Sequence, residues 1–246
     1  MSNSYLSTLI CRQAKKYGDR IALKYRDYET ESWISVSWNQ FAENGKLGFE
    51  CFDCIGGRSS GKYRRFFSEY AGMLVYGFWD AFGSRIVTIP LYATSSEAQV
   101  HYILQDAGIR FLFVGEQYQY DVACRVQNLC KTLKQIIIFD PKVKRSASDT
   151  NSIYYSDFLK LGMERKFQAE VDKRTSESGN GDLVNILYTS GTTGESKGVM
   201  LHHSCYEAAF AAHDGRLTTL GESDVVMNFL PFTHIFRTCL ELLLYK

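Results

Sequence analysis

Proline is scarce in this sequence. Only Pro90, Pro141 and Pro231 occur in 246 residues, well below the roughly 5% of average proteins, and a collagenous or proline-rich low-complexity chain is excluded. An excess of charge is missing too: 28 Lys and Arg face 27 Asp and Glu, a formal net charge of +1. There is no global basic field to hold nucleic acid or an anionic membrane, and no nucleic-acid partner is expected. Long apolar runs are also lacking. The most apolar stretch, residues 70–79, is ten residues long, about half of the roughly 20 that a membrane helix requires, so no transmembrane segment is expected. The opening MSNSYLSTLICRQAKKYGDR has neither the basic start nor the long apolar centre of a signal peptide. Without an export signal, the seven cysteines read as reduced thiols of a cytoplasmic protein, and their odd number argues against a complete disulfide framework.

What remains is globular. The chain is 45% hydrophobic and 14% aromatic, enough for a sizeable core, and its length suits one large or two small domains at roughly 150 residues each. Leu6, Leu9, Ile10, Ala14 and Tyr17 share one helical face, and Gly18 supplies the stop. Residues 20–25 and 35–38 read as strands, and a short helix is expected over 39–47. Residues 46–72 carry paired glycines, two adjacent arginines and no clean period. From Arg85 onward the pattern is orderly. Strands are expected at 85–92, 110–114 and 135–139. Between them lie helices at 97–107, capped by Ser95 or Ser96 and closed by Gly108, and at 118–133. Strand alternating with helix marks a parallel sheet with crossover helices, an α/β fold. Residues 141–181 read as a polar connector with one short helix at 155–162. A strand at 183–188 follows, and a further helix is expected at 203–212.

The segment after that last strand carries the chemistry. Residues 188–198 read Tyr-Thr-Ser-Gly-Thr-Thr-Gly-Glu-Ser-Lys-Gly. Gly191, Gly194 and Gly198 let the backbone turn and present N–H groups to anionic oxygens. Thr189, Ser190, Thr192 and Thr193 add hydroxyls, and Lys197 supplies a compact positive charge for phosphates. A flexible surface turn has the same composition, but the preceding strand and the lysine favour a phosphate cradle. A Walker A loop needs G-x-x-x-x-G-K-[ST]; here Ser196 precedes the lysine and Gly198 follows it, so that pattern fails twice. No G-x-G-x-x-G is present either.

This loop resembles the signature of the adenylate-forming (AMP-binding) superfamily, which includes acyl-CoA synthetases, luciferases and peptide-synthetase adenylation domains. Its common form is [ST]-[ST]-G-[ST]-T-G-x-P-K-G, and Ser196 is the one departure, at the usual proline. RIALKYRDYE near the start, VTIPLYATSS at 87–96 and MNFLPFTHIF at 227–236 are similar to bacterial long-chain fatty acyl-CoA synthetases. The resemblance implies activation of a fatty acid by ATP through an acyl-adenylate, then transfer to CoA with release of AMP and pyrophosphate. It implies nucleotide contacts from Thr189, Ser190, Gly191, Thr192, Thr193, Gly194 and Lys197, with Lys197 also catalytic. It further implies magnesium (Mg2+) on the Thr189 hydroxyl and an acyl pocket that includes Phe232 and His234. Adenylation of an aryl or amino acid, or a non-catalytic remnant, are the alternatives.

The likeness covers only the amino-terminal part of that family's large domain. The later Y-G-x-T-E and T-G-D segments and the small C-terminal domain do not occur, and the reading is an incomplete adenylation domain over residues 1–246, inactive alone. Residues 46–72 depart from the family pattern and suggest a stretch that is out of frame. Cys51 and Cys54 form a C-x-x-C there, without the second pair that a zinc site needs. His202, His203, Cys205 and His213 raise the question of metal, but adjacent helical histidines point to different faces, which favours helix-surface residues and a packing contact. Lys142, Lys144 and Arg145 read as a solvated loop. Fatty substrates suit peripheral contact with a membrane, though no amphipathic anchor stands out.

Overall fold

The computed structural model describes residues 5–26, 30–54, 64–67, 85–164, 166–189, 195–216, 219 and 221–225. Helix α1 (Tyr5–Tyr17) leads into a hairpin of β1 (Ile21–Arg26) and β2 (Trp33–Ser37), and α2 (Trp38–Cys54) follows. The parallel strands come next: β3 (Arg64–Phe67), β4 (Val87–Pro90), α3 (Glu97–Asp106), β5 (Phe111–Val114), α4 (Gln117–Gln127) and β6 (Gln135–Ile138). The chain continues through β7 (Ser152–Tyr154), α5 (Tyr155–Gly162), α6 (Gln168–Glu177), β8 (Leu183–Thr189), β9 (Lys197–His202) and α7 (His203–Asp214).

Strands β3 to β9 form a seven-stranded sheet in the order β7-β6-β5-β3-β4-β8-β9. Every pairing is parallel except β8 with β9. Both faces are covered, which is why these strands read as continuous apolar runs rather than as alternation. Leu112, Val114, Ile136 and Ile138 pack under α3 and α4, against Val100, Ile103, Leu104 and Val126. Phe111, Phe113, Ile137 and Val184 face the other way, onto Leu9 of α1, Phe41 of α2, Phe158 of α5 and Tyr206 of α7. Phe113 there meets Phe158 edge-on, with centroids 5.9 Å apart, a favoured aromatic geometry. The α/β architecture with a mostly parallel sheet and crossover helices is therefore as the sequence indicates.

Several local expectations hold for identifiable reasons. Ser96 caps α3: its Oγ accepts the N–H of Gln99, and the Gln99 side chain accepts the N–H of Ser96, a closed capping box. Gly18 and Gly108 end α1 and the α3 turn with φ of +56° and +60°, a region open to glycine without cost. Arg85 adopts φ of +59° without that freedom. Its guanidinium grips Asp182 at 2.9 Å and 3.0 Å, which ties the start of β4 to the start of β8.

Other boundaries differ. The second helix runs on to Cys54, through glycines that mark a stop in sequence, because it packs against α1 and α5. Residues 64–67, inside the stretch without a period, supply a strand between β4 and β5. Helix α4 ends at Gln127, not 133, and the chain continues in tight turns, with Leu129 bonded to Val126 and Leu133 to Cys130. The connector at 141–181 holds β7 and α6 as well as the expected helix. Strand β7 is three residues long, too short to show a period. In α6 only Val171 is buried, so no apolar stripe announces it.

Candidate functional site

Strand β8 lies next to the edge strand of the sheet, with Val184, Asn185, Ile186 and Leu187 buried, Tyr188 half-buried and Thr189 exposed. It runs parallel to β4, so its last residue emerges at the carboxyl edge of the parallel strands, where open α/β sheets bind ligands. The chain then returns antiparallel as β9, with Tyr188 opposite Gly198 and Thr189 opposite Lys197. Thr189 and Lys197 thus stand as an exposed neighbouring pair at the turn end of this hairpin. Ser190, Gly191, Thr192, Thr193 and Gly194, between them, lie outside the described residues, as do Phe232 and His234.

Lys197 and Gly198 are strand residues, not members of a free loop. Gly198 therefore owes its identity to packing. A Cβ built on it would lie 2.7 Å from Ile186 Cγ2 and 3.2 Å from Tyr188 Cζ, and the absent side chain leaves room for the Tyr188 ring across the ladder. The sequence reading of Gly198 as a turn residue is corrected accordingly.

Helix α3 braces this hairpin from the side. Tyr188 donates its O–H to Asp106 Oδ2, and Tyr102 donates its own to the Ser196 carbonyl over 3.1 Å. The Tyr102 and Tyr188 rings meet edge-on, with centroids 6.4 Å apart and planes at 87°. Neither Tyr102 nor Asp106 was singled out in sequence. Their signal was a Tyr–Asp pair four residues apart, off the apolar face of α3, with an acidic group at the helix end where the macrodipole disfavours it.

Beneath the site lies a buried polar step. Thr88 on β4 and Asn185 on β8 are opposed, both with no exposure. Thr88 Oγ1 reaches the Val184 carbonyl at 3.5 Å, whereas Asn185 Nδ2 and Oδ1 have no hydrogen-bond partner among the described residues. The β8–β9 register shifts between Leu183 and Asn185, so this step coincides with a bulge.

The histidine cluster resolves into separate packing roles. His202 Nδ1 lies 2.7 Å from the Gly181 carbonyl and His213 Nδ1 lies 2.6 Å from the Ala209 carbonyl. His203 opens α7 and is buried. Burial pushes its imidazole down to about 4, with Asp182 opposing and Arg85 and His202 reinforcing the shift. Cys51 sits fully buried in the core, its thiol 3.6 Å from the Leu159 carbonyl. Among the described residues, no three His, Cys, Asp or Glu side chains group to hold a metal ion, and no described helix is long and apolar enough to cross a membrane.

The family model described as "AMP-binding enzyme" matches residues 75–245, well over half of the chain. The chain belongs to the AMP-binding enzyme family. It is similar to the long-chain-fatty-acid–CoA ligase ACSBG2 of Xenopus laevis, 27% identical over 238 residues, which covers 92% of this chain and 30% of that enzyme. The long-chain-fatty-acid–CoA ligase 1 of Saccharomyces cerevisiae is 40% identical over 103 residues, 42% of this chain and 14% of that enzyme. In structure, a natural red-emitting luciferase of Phrixothrix hirtus superposes with a TM-score of 0.78 at 17% identity, over 99% of this chain and 57% of that one. The last likeness concerns the fold. This member of the family spans about a third or less of the length of the curated relatives described here.

Proposed function

We propose that the polypeptide carrying this chain activates a long-chain fatty acid with ATP and passes it to CoA. The fatty carboxylate oxygen attacks the α-phosphorus of ATP, the bond to the bridging oxygen breaks, and pyrophosphate leaves with that electron pair. The CoA sulfur then attacks the acyl carbon, AMP leaves, and the thiol proton passes to solvent. One observation carries the reading: the exposed residues Thr189 and Lys197 are side by side at the carboxyl edge of the sheet. They flank a short segment of glycine and hydroxyl residues. A fixed cation and a hydroxyl donor there suit the charge that builds on departing pyrophosphate.

The donor set fits magnesium only as a partner of the nucleotide. Thr189 offers one oxygen, and no group of acidic ligands accompanies it among the described residues. Magnesium keeps most of its waters and takes the rest of its shell from phosphates in such sites, and when bound it neutralises phosphate charge. Lys197 holds and orients the phosphate tail, Thr189 donates to it, and Ser190, Gly191, Thr192, Thr193 and Gly194 contribute backbone and hydroxyl donors. Phe232 and His234 line the acyl side in this reading. The likeness to two fatty-acid ligases supports the acyl class, and a fatty substrate brings the protein to membranes peripherally. The chain supplies the phosphate-binding residues for that chemistry and is inactive alone in this reading, and residues 46–72 are a place to compare with the other reading frames of the gene.

The test is ATP–pyrophosphate exchange by the longest natural polypeptide that contains this chain, with palmitate, benzoate and amino acids offered separately. Exchange that requires palmitate is expected. Exchange with benzoate or an amino acid alone moves the substrate to another carboxylate, and no exchange with any acid marks a non-catalytic relative.

A further inference from the structure

A hairpin end that meets a transition state must be held rigid. Strand β9 pairs with β8 on one side, and Val199 and Met200 on it are exposed, so the sheet alone gives it limited support. Ser196, just before β9, has no ring to fix its φ.

The brace comes from α3. Its buried face is made of Val100, Ile103 and Leu104. Tyr102 and Asp106 are a helical turn apart and share another face, turned toward the hairpin. Asp106 is the last residue of α3, at the negative end of the helix macrodipole, where a carboxylate is disfavoured. A local rule broken without a compensating local gain points to a role. Here the gain is the Tyr188 hydroxyl, which donates to that carboxylate. One turn earlier, Tyr102 donates to the Ser196 carbonyl and presses its ring edge-on against Tyr188. The two tyrosines secure opposite stems of the hairpin: Tyr188 adjoins Thr189 on the incoming strand, and Ser196 adjoins Lys197 on the outgoing one. Gly198 completes the joint by making room for the Tyr188 ring. Desolvation, then the charges of Asp106 and Glu195, raise the Tyr102 hydroxyl above its ordinary value.

We propose that Tyr102 and Asp106 are positioning residues that clasp the two stems of the hairpin and so fix the separation of Thr189 from Lys197 for the phosphate tail of ATP. The inference rests on the adenylation reading for its ligand, while the clasp itself is a statement about this fold.

Two measurements on the longest natural polypeptide separate these levels. The first is amide hydrogen exchange at residues 187–189 and 197–199 in wild type, Tyr102→Phe, Asp106→Ala and Asp106→Asn. Tyr102→Phe keeps the ring contact and removes only the hydroxyl. Asp106→Asn keeps an oxygen that accepts from Tyr188, whereas Asp106→Ala does not. Faster exchange is expected in Tyr102→Phe and Asp106→Ala, with Asp106→Asn close to wild type. The second is the kinetics of palmitate-dependent ATP–pyrophosphate exchange. The expected result is a KM for ATP raised about tenfold in the same two variants, an unchanged KM for palmitate, and rescue in Asp106→Asn.

Unchanged amide exchange in both variants overturns the clasp. Faster amide exchange with an unchanged KM for ATP makes it an ordinary structural contact and overturns the positioning role. If wild type itself catalyses no exchange with any carboxylate, the adenylation reading fails and the positioning role fails with it, while the amide data still report whether the clasp exists.

Discussion

His203 shows how one buried side chain governs behaviour far from the site. Its imidazole is neutral in the fold because burial lowers its pKa to about 4 from 6.5. The unfolded chain therefore binds the proton first as pH falls. Stability is complete above about pH 6.5 and is lost progressively toward pH 4, by about 3 kcal/mol at most. Denaturant midpoints measured between pH 7 and 4 should fall in the wild type, and His203→Gln should flatten that decline. Asp149 acts in a lower window. Burial raises its pKa, but hydrogen bonds from Ser152, Tyr120 and the Asn151 amide, with the charge of Arg145, outweigh burial and hold it below the ordinary value. Its contribution is present above about pH 4 and fades below that. Tyr120 donates to Asp149 at 2.6 Å and accepts from the Ser146 amide at 2.9 Å. Tyr120→Phe should cost about 2 kcal/mol in urea unfolding, and a cost near zero would show that the buried network is dispensable. Little of this was legible in sequence. His203 stood among other histidines with nothing to mark it as the buried one, and Asp149 lies in a stretch that reads as a polar connector.

At the scale of elements, the hairpin of β8 and β9 is the most informative. The apolar run at 183–188 and the glycine-rich signature announced the strand and its turn. They did not announce that Lys197 begins a second strand, because KGVMLH lacks the alternation that a half-covered edge strand usually shows. Gly198→Ala tests the joint. The new Cβ meets Ile186 and Tyr188 at distances that force a shift, and overpacking of this kind costs about 1–3 kcal/mol. A lower denaturation midpoint is expected together with a weaker brace from Tyr188. A variant as stable as wild type would mean that the hairpin opens at no cost. Helix α3 is legible almost to the residue, since the capping box and Gly108 punctuate it at both ends. Helix α6 and strand β7 escaped for the opposite reason: one buried valine and three residues leave no pattern to read.

At the scale of the molecule, the alternation of strand and helix was enough to give a parallel α/β sheet covered on both faces. The two core layers bear that out, with Phe111 and Phe113 on one side and Leu112 and Val114 on the other. The position of the site at the carboxyl edge follows from the same topology. The contact between α3 and the hairpin joins residues 82 and 94 positions apart in the chain, a separation at which no local pattern informs. Lys197 meeting the phosphate tail of ATP is the contact on which the proposed chemistry depends. The most direct measurement is palmitate-dependent ATP–pyrophosphate exchange by the longest natural polypeptide, wild type against Lys197→Ala, with equal unfolding midpoints as the control. Exchange is expected to slow about 100-fold or more, the scale of losing one charge-stabilising donor. Equal rates in the two proteins would contradict that contact.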